Sequence, residues 1–413
     1  MGHGRQPAVP RLTGQFPVGH LVRIAFDVSP LSHPRSGIGN YIRGSLAGLA
    51  EAAAGEHEIV AFAPTSPQGR RAIPAALEGI PVEISLRFLP FAHAWRQAWS
   101  RLGHPALERF LGPIDVLHFS DWMYPPQAGG VRATTIHDLV PLRFPDWVQG
   151  RTRRMHGAKY RNTSHTCDVV FTNSAFTRRE VVELLRIPEE RVRVAHPGVA
   201  PDFASEGPRA DLGLPYVLTV ATLEPRKNLG TLVEAHRLLG RSDLALAVAG
   251  GEGWGARPEL DRAGIVRLGY VSDEELAALY RGAAAFCYPS RFEGFGMPVV
   301  EAMASGVPVV CSSHSSLDEA CGDAAVRVDP ESPEEIAAGI ERALAEHDRL
   351  VPRGLRHAAG FRWLDTGRVF LRGYSETLST LCASASTSPR STRRAPAPRG
   401  TSPSSPPSRT SSS

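Results

Sequence analysis

The sequence has neither a long apolar run nor a regular pattern of cysteines. No stretch approaches the roughly 20 consecutive apolar residues that a membrane-spanning helix needs. The opening segment, MGHGRQPAVPRLTGQF, has no apolar core, so we expect no secretory signal there. The five cysteines are scattered, without the Cys-x-x-Cys or Cys/His spacing of a metal site. These absences argue against a membrane-spanning protein and a cysteine-based metal protein, and we expect a reduced, cytoplasmic chain.

Acidic residues are absent from the C-terminal tail. Residues 383–413 are rich in Ser, Pro and Thr and contain five arginines but no Asp or Glu. The whole chain has a formal net charge of +4, so the part before the tail carries −1. This near-neutral balance removes the support that the basic pI would give to a nucleic-acid partner. We expect the tail to be disordered and solvated, and its contact with anionic lipid at the inner face of the plasma membrane stays open.

Lysine is almost absent as well. Only Lys159 and Lys227 occur among the 46 basic residues, and all the others are arginine. Lys227 follows Arg226 in TLEPRKNLG, between a predicted strand and a predicted helix. A guanidinium and an ammonium placed together suit a diphosphate, although a solvated charge pair would have the same sequence.

The sequence also lacks an Asp-x-Asp pair placed to hold a metal ion against a diphosphate. The acids of SSLDEACGD follow a strand and have the character of an ordinary loop. We therefore predict no metal and no cofactor. The charge of a leaving diphosphate would have to be met by Arg226, Lys227 and helix N-termini.

Short apolar strands alternate with amphipathic helices along most of the chain, and the pattern starts twice. The first set begins with LVRIAFDVSP and the second with YVLTVAT. This alternation predicts an α/β protein of two Rossmann-like domains, whose parallel sheets face a central cleft. Ligands of such sheets bind beyond the carboxyl ends of the strands. The predicted parts are a flexible N-terminus (1–20), a first domain (21–200), a linker (201–214), a second domain (215–360), a crossover helix (361–382) and the tail (383–413).

The segment RFEGFGMPVVEAMASGVPVV, residues 291–310, places two glutamates around a glycine turn. Pro298 is suited to the first turn of a helix, and Gly306 to the position just past its end. Glu293 would then lie on the loop before the helix, and Glu301 in the first helical turn. A capped helix with two surface glutamates is the alternative interpretation.

The glycine turn itself would form a binding site for an anion or a polar ligand. The backbone N–H groups of Phe295, Gly296 and Met297 would lie at the helix N-terminus, where such groups lack partners within the helix. Carboxylates on either side can only accept hydrogen bonds, so they suit a ligand that is rich in hydroxyl groups.

Two stretches of the first half place further candidates after predicted strands. SGIGNYIRG opens a helix, and its Gly37 and Gly39 would allow close approach of a diphosphate, although a plain turn explains them equally well. TTIHDLVPL puts His137 at the carboxyl end of a strand, where contact with a reacting sugar and a structural role are equally open. His118 and His196 are predicted to be structural.

A basic, aromatic stretch also occurs in the first half. Trp95 and Trp99 lie four residues apart in FAHAWRQAWSRL, and RTRRMHGAKYRN adds further arginines and Lys159. We interpret these stretches as packed tryptophans with a solvated basic face, while an interfacial helix on anionic lipid stays open.

Together these stretches resemble a known family. Glu293 and Glu301, around GFGMP, are similar to the E-x7-E motif of the family 4 retaining glycosyltransferases, and LEPRKNL resembles that family's Arg/Lys diphosphate site. SGIGNY, TIHDLVPL and TNSAFTRRE are also similar to the family. The resemblance covers about residues 21–381. It implies a GT-B fold, a nucleotide-diphosphate sugar as donor and no metal, with the acceptor bound by the first domain and the donor by the second.

The resemblance also implies a role for each matching residue. Arg226 and Lys227 would neutralise the departing diphosphate, Glu301 would bind the ribose hydroxyls and Glu293 the donor sugar. His137 would contact the sugar near its reacting carbon. The remaining donor-binding positions are backbone groups at Phe295, Gly296 and Met297, the diphosphate-facing Gly37 and Gly39, and the base-facing Gly269, Tyr270 and Val271.

The implied activity is retaining, metal-independent transfer of a hexose to a glycan, lipid-linked or small-molecule acceptor. VLHFSDWMYPP and TTIHDLVPLRFPDW are most similar to members that use GDP-mannose to build polysaccharide or lipid-linked glycans. A nucleotide-sugar epimerase of the same fold and a catalytically silent nucleotide-sugar-binding subunit are the two alternatives. The expected partners are a nucleotide sugar, an acceptor and, as an open possibility, a membrane surface.

Overall fold

A computed structural model describes residues 21–33, 37–88, 92–120, 124–251, 253, 260 and 262–387. In these residues the chain forms two α/β domains, each built on a parallel sheet, as the alternation of strands and helices predicts. The predicted flexible N-terminus, 1–20, and residues 388–413 of the predicted tail lie outside the described residues. Within the described part, no helix is long and apolar enough to cross a membrane.

The first domain contains a sheet of seven parallel strands. They are β1 (Arg23–Asp27), β2 (Glu58–Thr65), β3 (Glu83–Phe88), β4 (Val116–Phe119), β5 (Val131–Ile136), β6 (Val169–Thr172) and β7 (Val192–Val194). Their order in space is β3-β2-β1-β4-β5-β6-β7. The order reverses between β1 and β4, and ligands of such sheets bind at this point, beyond the carboxyl ends of the strands.

The second domain repeats this plan with six strands. They are β8 (Tyr216–Val220), β9 (Ala245–Ala249), β10 (Ile265–Gly269), β11 (Ala285–Tyr288), β12 (Val309–Ser312) and β13 (Ala325–Val328). Their order is β10-β9-β8-β11-β12-β13, and it reverses between β8 and β11. The turns after β8 and β11 carry Arg226, Lys227 and Glu293, so these residues lie at the expected ligand-binding edge.

Helices connect the strands and cover the sheets. They are α1 (Gly37–Ala53), α2 (Pro67–Ala76), α3 (Ala92–Leu102), α4 (Glu108–Leu111), α5 (Val140–Arg143), α6 (Gly150–Thr166), α7 (Ala175–Leu185), α8 (Leu229–Leu239), α9 (Asp273–Gly282), α10 (Met297–Ala304), α11 (Asp318–Cys321), α12 (Pro333–Ala345), α13 (His347–Ala358) and α14 (Trp363–Thr387).

The last helix, α14, packs on the first domain although it follows the second one in sequence. The chain crosses back at Phe361, whose carbonyl accepts the N–H of Val199 at 3.0 Å. The helix lies directly on α1, because a Cβ atom at Gly48 would lie only 1.8 Å from the carbonyl oxygen of Trp363. Its Phe370 and Tyr374 are buried in the core of the first domain. The helix ends five residues beyond the end predicted at residue 382.

The histidine of β4 is structural, as predicted. The His118 ring lies between those of Phe26 and Phe171, at centroid distances of 4.4 and 5.6 Å. Its ring nitrogens bond to the hydroxyls of Tyr374 and Thr135, at 2.6 and 2.9 Å. Because both nitrogens have partners inside the core, this side chain has no free group for chemistry.

The two basic, aromatic stretches differ in their packing. Trp99 packs edge-on to Phe62 and Phe110, as predicted, whereas Trp95 is exposed. The expectation that Lys159 belongs to a solvated face is wrong. This side chain is buried, and its ammonium donates to two backbone carbonyls at the ends of β4 and β5. Its aliphatic stem allows that burial, and the carbonyl oxygens replace water around the charge.

Candidate active site

Three charged side chains meet at the carboxyl ends of β8 and β11. Arg226 and Lys227 lie on the turn after β8, and Glu293 on the loop between β11 and α10. Glu293 Oε2 accepts from Arg226 Nη1 at 2.8 Å, and its Oε1 accepts from Lys227 Nζ at 2.7 Å. The side chains of Lys227 and Glu293 are only 10% and 9% exposed. The structure therefore brings together three of the predicted site residues in a nearly buried ion cluster.

Further hydrogen bonds fix the carboxylate of Glu293. Its Oε1 also accepts from the hydroxyls of Tyr288 and Ser290, at 2.9 and 2.5 Å. Burial alone would raise the pKa of Glu293, but the charges of Arg226 and Lys227 and the hydrogen bonds from Lys227 and Ser290 outweigh it and hold the pKa at about 2. Glu293 is therefore ionised at neutral pH and cannot serve as a general acid there.

The two cations differ in how firmly they hold their protons. Burial lowers the pKa of Lys227, the charge of Arg226 lowers it further, and Glu293 offsets part of that effect. Burial also acts to lower the pKa of Arg226, but Glu293 and Glu224 outweigh it and raise that pKa. Glu224 Oε2 accepts from Arg226 Nε at 2.9 Å, so two carboxylates balance the two cations.

Some donor groups of the cluster remain available for an added ligand. Among the described residues, the hydrogen bonds of Arg226 use Nε and Nη1 but not Nη2. The ammonium of Lys227 has three protons, and its hydrogen bonds to Tyr288 and Glu293 use two of them. The cluster can thus hold its own geometry and still donate to an incoming oxyanion.

Glu301 has a different environment from Glu293. It is the fifth residue of α10, one turn later than the sequence predicted, and it is 6% exposed. The hydroxyl of Tyr280 donates to its Oε2 at 3.2 Å. Burial raises the pKa of Glu301 to about 7, although the hydrogen bond from Tyr280 acts to lower it. The two glutamates of one motif therefore titrate about five pH units apart.

The glycine turn begins α10 as predicted. Gly296 precedes the helix with a φ of 102°, and a Cβ atom there would lie 2.5 Å from Leu317 Cδ2. The backbone angle strongly favours glycine at this position, and a side chain there would also displace Leu317. Phe295 is buried, and Met297, the first helical residue, contacts the cores of both domains. The turn is thus held where the two domains meet.

His137 faces this turn from the first domain. It follows β5, and its ring contacts the ring of Tyr41 from α1 edge-on, with centroids 4.8 Å apart. A Cβ atom at Gly294 would lie 1.8 Å from the carbonyl oxygen of His137, so the two backbones are in direct contact. Among the described residues, the buried His137 Nε2 has no hydrogen-bond partner. Burial, with the charge of Lys159 next in weight, lowers the pKa of His137 to about 3, so the ring is neutral.

The remaining predicted positions lie along the two sheet edges. Gly37 is the first residue of α1, Gly39 lies in its first turn, and Tyr41 is the fifth residue of the helix. Gly269 ends β10 with a φ of 68°, and its carbonyl accepts the N–H of Gly250 at 2.7 Å. Tyr270 and Val271 follow it, with Tyr270 58% exposed and Val271 packed against the core of the second domain. In the described part of the chain, no three His, Cys, Asp or Glu side chains are grouped so that they could hold a metal ion.

Sequence reasoning missed several residues that organise this site. Glu224 lies inside the recognised LEPRKNL stretch, and an acid two residues before an arginine could have indicated the pairing. Tyr288 and Ser290 lie at the carboxyl end of β11, in the position from which parallel strands supply ligand-binding residues. Ser316, whose Oγ accepts the N–H of Glu293 at 3.1 Å, carries no comparable signal because it lies on a separate loop.

Two family models match the chain. The model described as Glycosyltransferase Family 4 matches residues 35–203, and the one described as Glycosyl transferases group 1 matches residues 202–356. A relative named O-antigen chain mannosyltransferase B, from Escherichia coli, is 30% identical over 385 residues, which cover 83% of this chain and 96% of the relative.

Solved structures show the same architecture. A glycosyltransferase from Rickettsia africae matches with a TM-score of 0.63 at 15% identity, covering 87% of this chain and 99% of its own. Anabaena HepE in complex with UDP and glucose matches with a TM-score of 0.62 at 16% identity, covering 87% and 100%.

The chain belongs to glycosyltransferase family 4, has the GT-B fold and is a hexosyltransferase. The family and the fold class predicted from the sequence are thereby confirmed.

Proposed function

We propose that this enzyme transfers a mannosyl group from a nucleoside-diphosphate sugar to a hydroxyl of a glycan or lipid-linked acceptor, with retention of configuration and without a metal ion. The observation that carries this proposal is the cluster of Arg226, Lys227 and Glu293, whose loop contacts the backbone of His137 in the first domain. The name of the Escherichia coli relative supports mannose as the sugar, and HepE in complex with UDP and glucose supports a nucleotide-sugar site on this fold.

In this proposal the diphosphate binds beside Arg226 and Lys227. Nη2 of Arg226 and the third proton of Lys227 donate to its oxygens while the other donors stay bonded to Glu293. Because the site is largely buried, these charges stabilise the negative charge that develops on the leaving phosphate more strongly than they would in water. The fixed cations thus take the place that a metal ion holds in other nucleotide-sugar enzymes.

Glu293 and His137 then orient the sugar through hydrogen bonds without forming a covalent bond to it. Glu293 stays ionised and tied to two cations, which makes it a poor nucleophile but a good acceptor for sugar hydroxyls. The neutral His137 ring can exchange a hydrogen bond with the sugar through Nε2. Neither side chain is placed as a strong base, so the acceptor's proton passes to the leaving phosphate oxygen. The bond from the anomeric carbon to that oxygen breaks while the bond to the acceptor oxygen forms on the same face.

Glu301 is assigned to the ribose hydroxyls. Its raised pKa means that the buried carboxyl is only partly ionised near neutral pH. Two hydroxyls that donate to it would stabilise the ionised form, so binding of the nucleotide would be coupled to release of a proton. The assignments of the acceptor to the first domain, of backbone groups at Gly269 to the base and of a cytoplasmic location stay predictions.

The test is a two-stage binding and transfer experiment. The first stage measures the melting temperature of the purified chain with GDP, UDP, ADP and their common nucleotide sugars, each with EDTA. The melting temperature should rise for one nucleotide family only. Transfer to a mannose-containing oligosaccharide, followed by NMR of the product anomer, should then give the configuration of the donor. Product of the opposite configuration, or binding that needs a divalent ion, would overturn the mechanism. Isomerised nucleotide sugar without transfer would indicate an epimerase.

A further inference from the structure

A glutamate outside the E-x7-E motif joins the two domains. Glu319 lies on α11 of the second domain, and its carboxylate is bound by groups of the first domain only 2.6–3.0 Å away. The backbone N–H of Ala175 donates to Oε2 and that of Phe176 to Oε1. The third contact, at 2.6 Å, joins Oε2 to Nε2 of His196, which follows β7.

The start of α7 is suited to this contact. Ser174 caps the helix by accepting the N–H of Thr177 at 2.9 Å, but the first helical N–H groups have no partner inside the helix. Glu319 supplies that partner from the other domain, and the partial positive charge of the helix N-terminus favours its negative charge. Burial acts to raise the pKa of Glu319, but the hydrogen bonds from His196 and the two N–H groups outweigh it and lower the pKa. The carboxylate is therefore ionised where it binds.

The same helix start also holds the glycine turn of the catalytic cluster. The hydroxyls of Ser174 and Thr177 both donate to the carbonyl of Gly294, at 2.5 and 3.1 Å. Gly294 follows Glu293 in the chain, and Glu293 in turn donates its N–H to Ser316, which lies shortly before Glu319. One end of α7 thus contacts the second domain at two points, and both are linked to Glu293.

We propose that Glu319 is a positioning residue for the transfer reaction. Its carboxylate docks the second domain on the start of α7, so that the Glu293–Gly294 turn contacts His137. The proposal rests on the proposed function, since it assumes that transfer needs both walls of the cleft. It differs from a purely structural role because Arg226, Lys227 and Glu301 all belong to the second domain. Loss of Glu319 should therefore separate the walls while leaving the nucleotide-binding groups together.

The test compares Glu319→Ala and the conservative Glu319→Gln with Glu331→Ala. Glu331 is a matched control, because it also accepts two hydrogen bonds, from Nε and Nη2 of Arg291, but within the second domain. Domain separation can be read from a fluorescence pair on the full chain, with one dye on Cys382. This cysteine is exposed on α14, while the other four are buried. The second dye requires Arg237→Cys, on the exposed face of α8.

We expect Glu319→Ala to lengthen and broaden the dye distance and to lower kcat by about tenfold or more, since it removes hydrogen bonds to a charged group. Affinity for the nucleoside diphosphate, measured by calorimetry, should stay within about threefold, because a change confined to the domain contact removes no ligand group. Glu319→Gln should give an intermediate kcat and Glu331→Ala the wild-type values.

An unchanged dye distance in both Glu319 variants would overturn the inference, whatever their activity. A lengthened distance with unchanged kcat would also overturn it, because docking would then not matter for transfer. Absence of nucleotide binding in the wild-type chain would instead count against the proposed function, while the distance comparison would still test the domain contact.

Discussion

The two walls of the proposed cleft differ in charge. The wall of the second domain carries Arg226, Lys227 and Glu293 as a compensated ion cluster, whereas His137 on the first wall is neutral. Charge is concentrated beside the proposed diphosphate, and Asp138, next to His137 on the first-domain side, also acts to raise the pKa of Arg226. In the proposed mechanism the acceptor's proton passes to the leaving phosphate oxygen. Substitutions on one wall at a time test this difference in charge.

The largest effect is expected on the charged wall, for Lys227→Ala. Loss of one of the two cations should lower kcat/KM by about 10²–10³-fold, or roughly 3–4 kcal/mol, because a preorganised donor to the leaving oxygen is removed. Steady-state transfer assays with the donor found by the nucleotide panel would measure it. Arg237→Ala, an exposed cation on α8, is the control and should change activity less than about twofold. Near wild-type turnover of Lys227→Ala would show that the cluster does not face the diphosphate.

The second effect concerns stability and its dependence on pH, for Glu301→Gln. The pKa of Glu301 in the folded chain is about 7, above its ordinary value of 4.5. The folded state therefore binds the carboxyl proton of Glu301 more tightly than the unfolded state does. The contribution of this proton to the free energy of unfolding is fully present below pH 4.5 and is lost as the pH rises through 7. The loss amounts to at most about 3 kcal/mol. Glutamine has no such proton, so the melting temperature of the variant relative to wild type should rise between pH 5 and pH 8.

Glu331→Gln provides the contrast for that experiment. The hydrogen bond from Arg291 lowers the pKa of Glu331, so its charge does not change between pH 5 and pH 8. The difference in melting temperature between Glu331→Gln and wild type should be constant over this range. If the difference in melting temperature between Glu301→Gln and wild type were also constant, the carboxyl of Glu301 in the wild-type chain would be hydrated rather than buried.

The smallest effect is expected on the neutral wall, for His137→Ala. Loss of a single neutral hydrogen bond should lower kcat/KM about threefold to tenfold. Because the pKa of His137 is about 3, the ring does not titrate near neutral pH, and the pH profiles of variant and wild type should be parallel from pH 6 to pH 8. The exposed His347→Ala serves as control. If one limb of the wild-type profile of kcat/KM against pH disappeared in His137→Ala, this histidine would instead act as a general acid or base.

Much of the fold follows from the apolar periodicity, with two of the four edge strands as the exceptions. The central strands of both sheets are buried runs that the sequence displays, whereas β3 and β13 were not predicted. Both are edge strands, and charged residues interrupt the apolar character of each. The helices α12 and α13 were also missed. Pro352 lies inside α13 and obscures its pattern, whereas α12 is preceded by Ser332 and begins with Pro333, which are typical of a helix start.

The site could be predicted in its residues but not in their pairing. The motif marked Glu293 and Glu301 alike, and nothing in the sequence separates their environments. The two pKa values differ because Glu293 forms ion pairs with Arg226 and with Lys227, 66 residues away along the chain, while Glu301 accepts a hydrogen bond from the neutral Tyr280. Such partners lie after different strands that the sheet brings together, and the spacing of residues along the chain does not predict them.

The packing of α14 on α1 has a consequence for biosynthesis. Phe370 and Tyr374 complete the core around Phe26 and Phe171, yet they are among the last described residues to leave the ribosome. All strands of the first sheet emerge before any of the second, but the first core is filled only after the second domain has been made. The half of the enzyme that is translated first is therefore the half that is finished last.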